Sequence, residues 1–163
     1  MDSQHSDVTQ RISEEQLRQV TIGEPTLHNA QITVVDYDPA WPEQFAAQER
    51  TIRNALGEIA IRVEHAGSTS VPGLPAKPII DIVLVVANSA DEPTYVPALE
   101  AAGYTLRIRE PDWEEHRLLK GTNPDVNLHV FSEGSPEIGR MLLMRDWMRA
   151  HPEDRDRYAA VKR

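Results

Sequence analysis

The chain has 163 residues, 40% of them hydrophobic and 26% charged, with a formal net charge of −9 and no cysteine. That length and balance suit one globular domain with a sizeable core, and the missing thiols exclude disulfide frameworks, thiolate zinc sites and cysteine nucleophiles. No apolar run approaches the roughly 18 residues a membrane helix needs, so no membrane partner is expected, and the acidic charge disfavours nucleic acid because the overall field repels a polyphosphate.

Residues 1–30 are polar and read as a partly flexible extension, with Ser13 placed to cap a brief helix in RISEEQLRQV. They carry neither the basic start nor the apolar core of a secretory signal, so the expected compartment is the cytoplasm. The folded domain is expected over 31–163. ITVVDY (32–37) predicts a strand, and DPAWPEQFAAQERTIRNALG predicts a helix that starts around Pro42 and stops at Gly57. Trp41, Phe45, Ile52 and Leu56 fall on one helical stripe and are assigned to the core.

IAIRVEH (59–65) predicts a second strand, followed by the loop GSTSVPGLPAKP and a third strand, IIDIVLVV (79–86). The near-continuous apolar character of the third strand marks it as central and covered on both faces. DEPTYVPALEAAGY predicts a short helix ending at Gly103, and YTLRIRE (104–110) alternates strictly, with Tyr104, Leu106 and Ile108 facing one way and Arg107 and Arg109 the other. HRLLKGT (116–122) and VNLHVFS (126–132) read as a hairpin. SPEIGRMLLMRDWMRAHP predicts a helix capped by Ser135, with Ile138, Met141, Leu142, Trp147 and Met148 on its apolar side, and EDRDRYAAVKR predicts a further helix. The sum is an α+β domain with one mixed, mainly antiparallel sheet and packed helices.

Four groups of residues carry candidate chemistry. The first is the loop after the second strand, where backbone amides with the hydroxyls of Ser68, Thr69 and Ser70 beside Gly67 could hold a phosphate. Five residues separate Gly67 from Gly73 and Lys77 comes four later, which departs from a P-loop. An ordinary turn between strands is the competing reading. The second is Asp81, which shares a strand face with Ile79, Val83 and Val85. A carboxylate there suits Mg²⁺, which takes one or two carboxylates plus substrate phosphates; a structural acid paired with loop amides or Lys77 fits equally. The third is His129, on the face of its strand opposite Val126, Leu128 and Val130, either a structural histidine or part of the Asp81 cleft. The fourth is a cationic group, Arg107, Arg109, Arg117 and Lys120, suited to a triphosphate or carboxylate, or else to pairing with Glu110, Glu114 and Glu115.

YDPAWPEQF, VEHAGSTSVPGLPAKPIIDI, EHRLLKG, VNLHVF and MLLMRDWMRAHPEDRDRYAAVKR together resemble the GrpB family of bacterial proteins over about residues 31–163. The resemblance implies the nucleotidyltransferase superfamily fold, shared with polymerase β and the aminoglycoside nucleotidyltransferases. Related domains occur fused to dephospho-coenzyme A kinase, which points to nucleotide chemistry or to a role as partner of another enzyme. The superfamily pattern is a Gly-Gly/Ser turn, then an Asp-apolar-Asp/Glu pair, then a third acid on a later strand.

Ala66-Gly67-Ser68 matches the turn and Asp81 the first acid, but the second acid position is Val83, and Asn127 and His129 are the polar residues of the third-acid strand. The resemblance thus implies a Mg²⁺-dependent transferase acting on a nucleoside triphosphate and a small molecule. Asp81 is its metal ligand, Glu64 and His129 its partial substitutes for the absent acids, and His129 its base. Lys77, Arg109 and Arg117 join Gly67 and Ser68 at the phosphates. Val83 favours the alternative of a non-catalytic nucleotide- or metabolite-binding module. GrpB-like chains continue past YAAVKR with further helix, which implies a shortened C-terminal helix here, exposed apolar surface and a homodimer.

Overall fold

In the computed structural model of the protein, which describes residues 33–162, Ile79–Val86 forms a strand over the span its apolar run predicts. The elements in order are α1 (Trp41–Leu56), β1 (Arg62–Ala66), β2 (Ile79–Val86), α2 (Val96–Ala101), β3 (Thr105–Glu110), β4 (His116–Gly121), β5 (Asp125–Ser132), α3 (Pro136–Ala150) and α4 (Pro152–Lys162). The sheet runs β1-β2-β5-β4-β3. β2 and β5 pair in parallel, and the other three neighbours pair antiparallel, so the expected mixed, mainly antiparallel α+β architecture is present. β5 is the central strand and β2 lies beside it. The expected polar extension, with its helix at Ser13, lies outside the described residues.

Helix α1 forms because Pro42 sits in the first turn, where its missing N–H is not needed, and Gly57 (φ +57°) ends it by turning its N–H onto Arg53 O. Its face Trp41, Ile52 and Leu56 is buried against the sheet with Val96 and Leu99 of α2, and Phe45 packs alongside. The alternate residues Ile80, Ile82, Leu84 and Val86 of β2 and Val126, Leu128 and Val130 of β5 meet them. On the other face, Ala66, Val83, Val85 and Phe131 pack under Ile138 and Leu142 of α3. Ser135 caps that helix, its hydroxyl accepting from Glu137 N at 3.3 Å. Truncating Leu142 to alanine would remove about 2–5 kcal/mol of this packing. A third cluster joins Val71 and Leu74 of the loop to Met148.

Four expectations change. ITVVDY does not form a strand within the described residues: Val35 makes one isolated bridge, to Ala76, because that segment meets a loop and not a strand edge. The second strand starts at Arg62 and not at residue 59, since 57–59 continue α1 as a 3-10 turn. The alternation of β3 breaks at a bulge between Leu106 and Ile108, which pair with Leu119 and Leu118 respectively, so the two point to opposite faces. Trp147 is exposed, donating its indole N–H to Asp154 Oδ2 at 2.8 Å and stacking on His151. It braces the α3–α4 junction instead of filling the core.

Candidate functional site

Pairing register decides which side chains can meet. The row Ala66–Asp81–Asn127–Lys120 crosses β1, β2, β5 and β4 on the face under α3. One step along, Glu64, Val83, His129 and Leu118 form the next row. α3 covers the Val83, Val85 and Phe131 end, leaving Asp81 and His129 partly exposed.

Gly67 lies against Asp81. Its backbone (φ 68°, ψ −174°) is a region open to glycine alone. A side chain there would meet the Asp81 carboxylate, with Asp81 Cβ at 2.9 Å and Cγ at 3.0 Å from the new Cβ. Asp81 Oδ1 meets His129 Nε2 at 3.3 Å, His129 Nδ1 meets His116 Nε2 at 3.1 Å, and His116 Nδ1 meets Glu110 Oε1 at 2.8 Å. The two imidazoles therefore join a carboxylate in the open site to a second carboxylate on β3, with Phe131 and Trp113 packed against His116. Beside them, Asn127 Oδ1 is buried and makes no hydrogen bond among the described residues.

The loop hydroxyls are committed inward. The Thr69 hydroxyl donates to Ile79 O at 3.0 Å and meets His65 Nε2 at 3.0 Å. Because that hydroxyl has one proton, His65 Nε2 is the donor in the second contact. Ser70 Oγ donates to Gly67 O. Thr69 and Ser70 thus brace the turn, a correction to the phosphate role expected of them; Gly67 and Ser68 remain at its edge. His65 is buried and stacked on Phe45 at 4.9 Å. Burial first, then Arg149 and Arg145, push its pKa down to about 4 against an opposing pull from Asp81.

Arg109 and Arg117 are not at the loop. They pair with each other across β3 and β4, and Arg117 shares its row with Val130, on the sheet face opposite Asp81. Both clasp Glu92: Arg109 Nε and Nη2 donate at 2.6 and 2.7 Å and Arg117 Nε at 2.7 Å. The hydrogen bond from Arg109 holds Glu92 down at about pKa 2 against burial, with Arg117 adding to it. Of the expected cationic group, Lys120 is exposed in the row of Asp81, and Arg107 falls at the bulge. Lys77 is exposed two residues before β2. Glu64 is turned away, onto Arg145 Nη1 (2.9 Å) and Arg62 Nη2 (3.3 Å). Burial raises its pKa, but the two arginines prevail and hold it below the usual range.

The cations at the loop come from the closing helices, which the sequence reading passed over. Arg145 Nη1 donates to His65 O (3.2 Å), Arg149 Nε to Ser70 O (2.9 Å) and Arg155 Nη1 to Pro72 O (3.1 Å). Arg149 has its pKa lowered by burial and then by Arg145, against an opposing pull from Asp146 and Glu64. Their i, i+4 spacing at 145 and 149 was the available signal. Below the turn a cavity of about 300 Å³ runs between the loop, α3 and α4.

A divalent cation has limited fit. Among the described residues, no three His, Asp or Glu side chains converge on one point, and Val83 is fully buried beneath α3. A two-metal centre therefore does not fit. Asp81 with the donorless Asn127 Oδ1 does fit one Mg²⁺ that keeps its remaining ligands as water and phosphate.

The family model described as GrpB protein matches residues 31–163. The chain belongs to the GrpB family. A UPF0157 protein of Halalkalibacterium halodurans is 63% identical over 151 residues, 93% of this chain and 77% of that one. A UPF0157 protein of Streptomyces coelicolor is 48% identical, covering 82% and 69%. The crystal structure of the conserved protein GrpB from Enterococcus faecalis superposes with a TM-score of 0.70 at 33% identity, covering 78% of each chain. The Cid1 poly(U) polymerase bound to MgATP superposes at a TM-score of 0.50 and 14% identity, over 91% of this chain and 44% of that one. That likeness is one of fold alone. A dephospho-CoA kinase of Mycolicibacterium paratuberculosis is 34% identical, but this GrpB chain spans 39% of it, so the kinase name describes the longer protein. Among the described residues no helix is long and apolar enough to cross a membrane.

Proposed function

We propose that this GrpB-family protein is a nucleotidyltransferase-type enzyme that binds a nucleoside triphosphate with one Mg²⁺ and acts on a small molecule. The observation that carries the reading is the Asp81 carboxylate seated against Gly67 and in contact with His129 at 3.3 Å. In the proposed step an acceptor hydroxyl oxygen bonds to the α-phosphorus, and the bond to the pyrophosphate oxygen breaks. Pyrophosphate leaves, and the hydroxyl proton passes to the Asp81–His129 pair. From there His116 leads to Glu110. One Mg²⁺ carried by the phosphates, with Asp81 and Asn127 as protein ligands, would neutralise developing phosphate charge. Gly67, Ser68 and the guanidinium of Arg149 provide the phosphate cradle.

Val83 favours a second reading, a nucleotide- or metabolite-binding module that does not turn over, because its buried side chain stands where a second metal-binding acid would be. Calorimetric titration with ATP and GTP separates the two. The enzyme reading expects binding that requires Mg²⁺ and is lost in Asp81→Asn; equal affinity in EDTA supports the module. Absence of binding by any nucleoside triphosphate overturns the enzyme reading and leaves the module only a metabolite other than a nucleotide.

A further inference from the structure

The Gly67–Ser68 turn, shared with the proposed phosphate cradle, borders a cavity that neither Asp81 nor His129 lines. Its apolar wall is built by Val71 and Leu74 of the loop and by Met141, Met144 and Met148, which repeat at helical spacing along α3. The volume is about 300 Å³, the size of a compact two-ring molecule and the lower end of ordinary ligand pockets. Three unbranched thioethers make a wall that adapts its shape and favours the edges of aromatic rings. Such a wall suits a flat guest better than a branched aliphatic one.

The polar end is cationic in an acidic protein. Arg140 and Arg145 line it against one carboxylate, Glu137. Arg140 Nη1 pairs with Glu137 at 2.8 Å and remains 70% exposed. Arg145 is held in place by Glu64 and Asp146 at 2.9 Å each. The enclosed guanidinium and the exposed one line the same cavity, where an anionic substituent finds two partners.

We propose that this cavity is a binding subsite for a compact aromatic anion: a two-ring body against the methionines and a carboxylate, sulfonate or phosphate toward Arg140 and Arg145. The subsite stands on its own geometry, apart from nucleotide binding at Asp81.

The described residues include three methionines, Met141, Met144 and Met148, so methyl-labelled methionine gives three reporters on the cavity. The probes are naphthalene-2-sulfonate and its uncharged counterpart naphthalene-2-sulfonamide, each titrated into the full chain without nucleotide. The expected result is that the three cavity methyl signals shift together and saturate at one equivalent of the charged probe. Met144→Glu, at a 56% exposed position, places a carboxylate at the opening and weakens the charged probe by about tenfold. Leu143→Glu, at a 66% exposed neighbour outside the cavity, leaves it unchanged. Arg140→Gln weakens the charged probe and not the uncharged one. The proposal is overturned if the cavity methyls do not shift at saturating probe, if Leu143→Glu acts as strongly as Met144→Glu, or if Arg140→Gln affects both probes alike. Because no nucleotide is present, a failure of ATP to bind at Asp81 leaves each of these outcomes intact.

Discussion

Replacing Gly67 by alanine tests the contact on which the site is built. The native backbone at φ 68°, ψ −174° is a conformation that costs a side-chain-bearing residue about 1–3 kcal/mol. The new Cβ would also stand 2.9 Å from Asp81 Cβ and 3.0 Å from Cγ, well inside the roughly 3.5–4.0 Å of an ordinary carbon contact. Relieving that overlap moves the Asp81 side chain by roughly 0.5–1 Å, enough to break its 3.3 Å contact with His129.

The sum is a loss of about 2–4 kcal/mol, part backbone and part overlap. Gly57→Ala supplies the control: φ is +57°, yet nothing lies within 4 Å of its Cβ, so it reports backbone cost alone. Urea unfolding of both variants, together with calorimetric titration of ATP, gives the comparison. Adding Asp81→Ala to Gly67→Ala is expected to recover the overlap part of the loss, a coupling that a double-mutant cycle isolates. If Gly67→Ala is no less stable than Gly57→Ala and its ATP titration matches that of the native chain, the close approach of turn and carboxylate is refuted.

Glu92→Gln is expected to cost about 2–3 kcal/mol, below the ~3–5 of a fully enclosed pair because the Glu92 side chain is 19% exposed. It leaves the buried Arg117 without its carboxylate, and an unchanged unfolding midpoint would contradict this. The pH dependence of stability should carry the signature of His65. With its folded pKa at about 4 against the ordinary 6.5 of an exposed histidine, the unfolded chain binds the extra proton. The contribution is therefore complete above pH 6.5 and lost as pH falls toward 4. Between pH 7 and 5 the loss is about 2 kcal/mol. His65→Gln, which keeps a donor for Thr69, should flatten that slope; equal slopes in both proteins would refute the assignment.

How much of the site was legible depended on whether a residue's surroundings are set within its own segment. The Gly67–Asp81 motif was legible only through the family resemblance, because spacing alone fits an ordinary turn and a structural acid equally well. Asn127 and His129 could be placed on one strand face, but the parallel pairing of β2 with β5, a long-range event, set them beside Asp81 and Val83. Arg109 and Arg117 were assigned to the wrong site because charge and alternation do not say which face of a sheet a row occupies. The bulge after Leu106 and the Glu92 clasp decided that.

By itself the sequence determined the elements with strong local signals. The run 79–86 had to be an interior strand, Gly57 had to stop a helix, and Ser135 had to start one. It also put a valine at position 83, where the resembled superfamily pattern has a second acid, and no fold can turn a valine into a carboxylate. Only the tertiary structure brought Arg145, Arg149 and Arg155 onto the loop carbonyls, aimed the Thr69 and Ser70 hydroxyls inward, and joined Asp81 to Glu110 through His129 and His116. Those contacts span up to about eighty positions of sequence. Hydrogen bonds and ion pairs act over a few ångströms, so such partners meet only after the sheet and closing helices have packed.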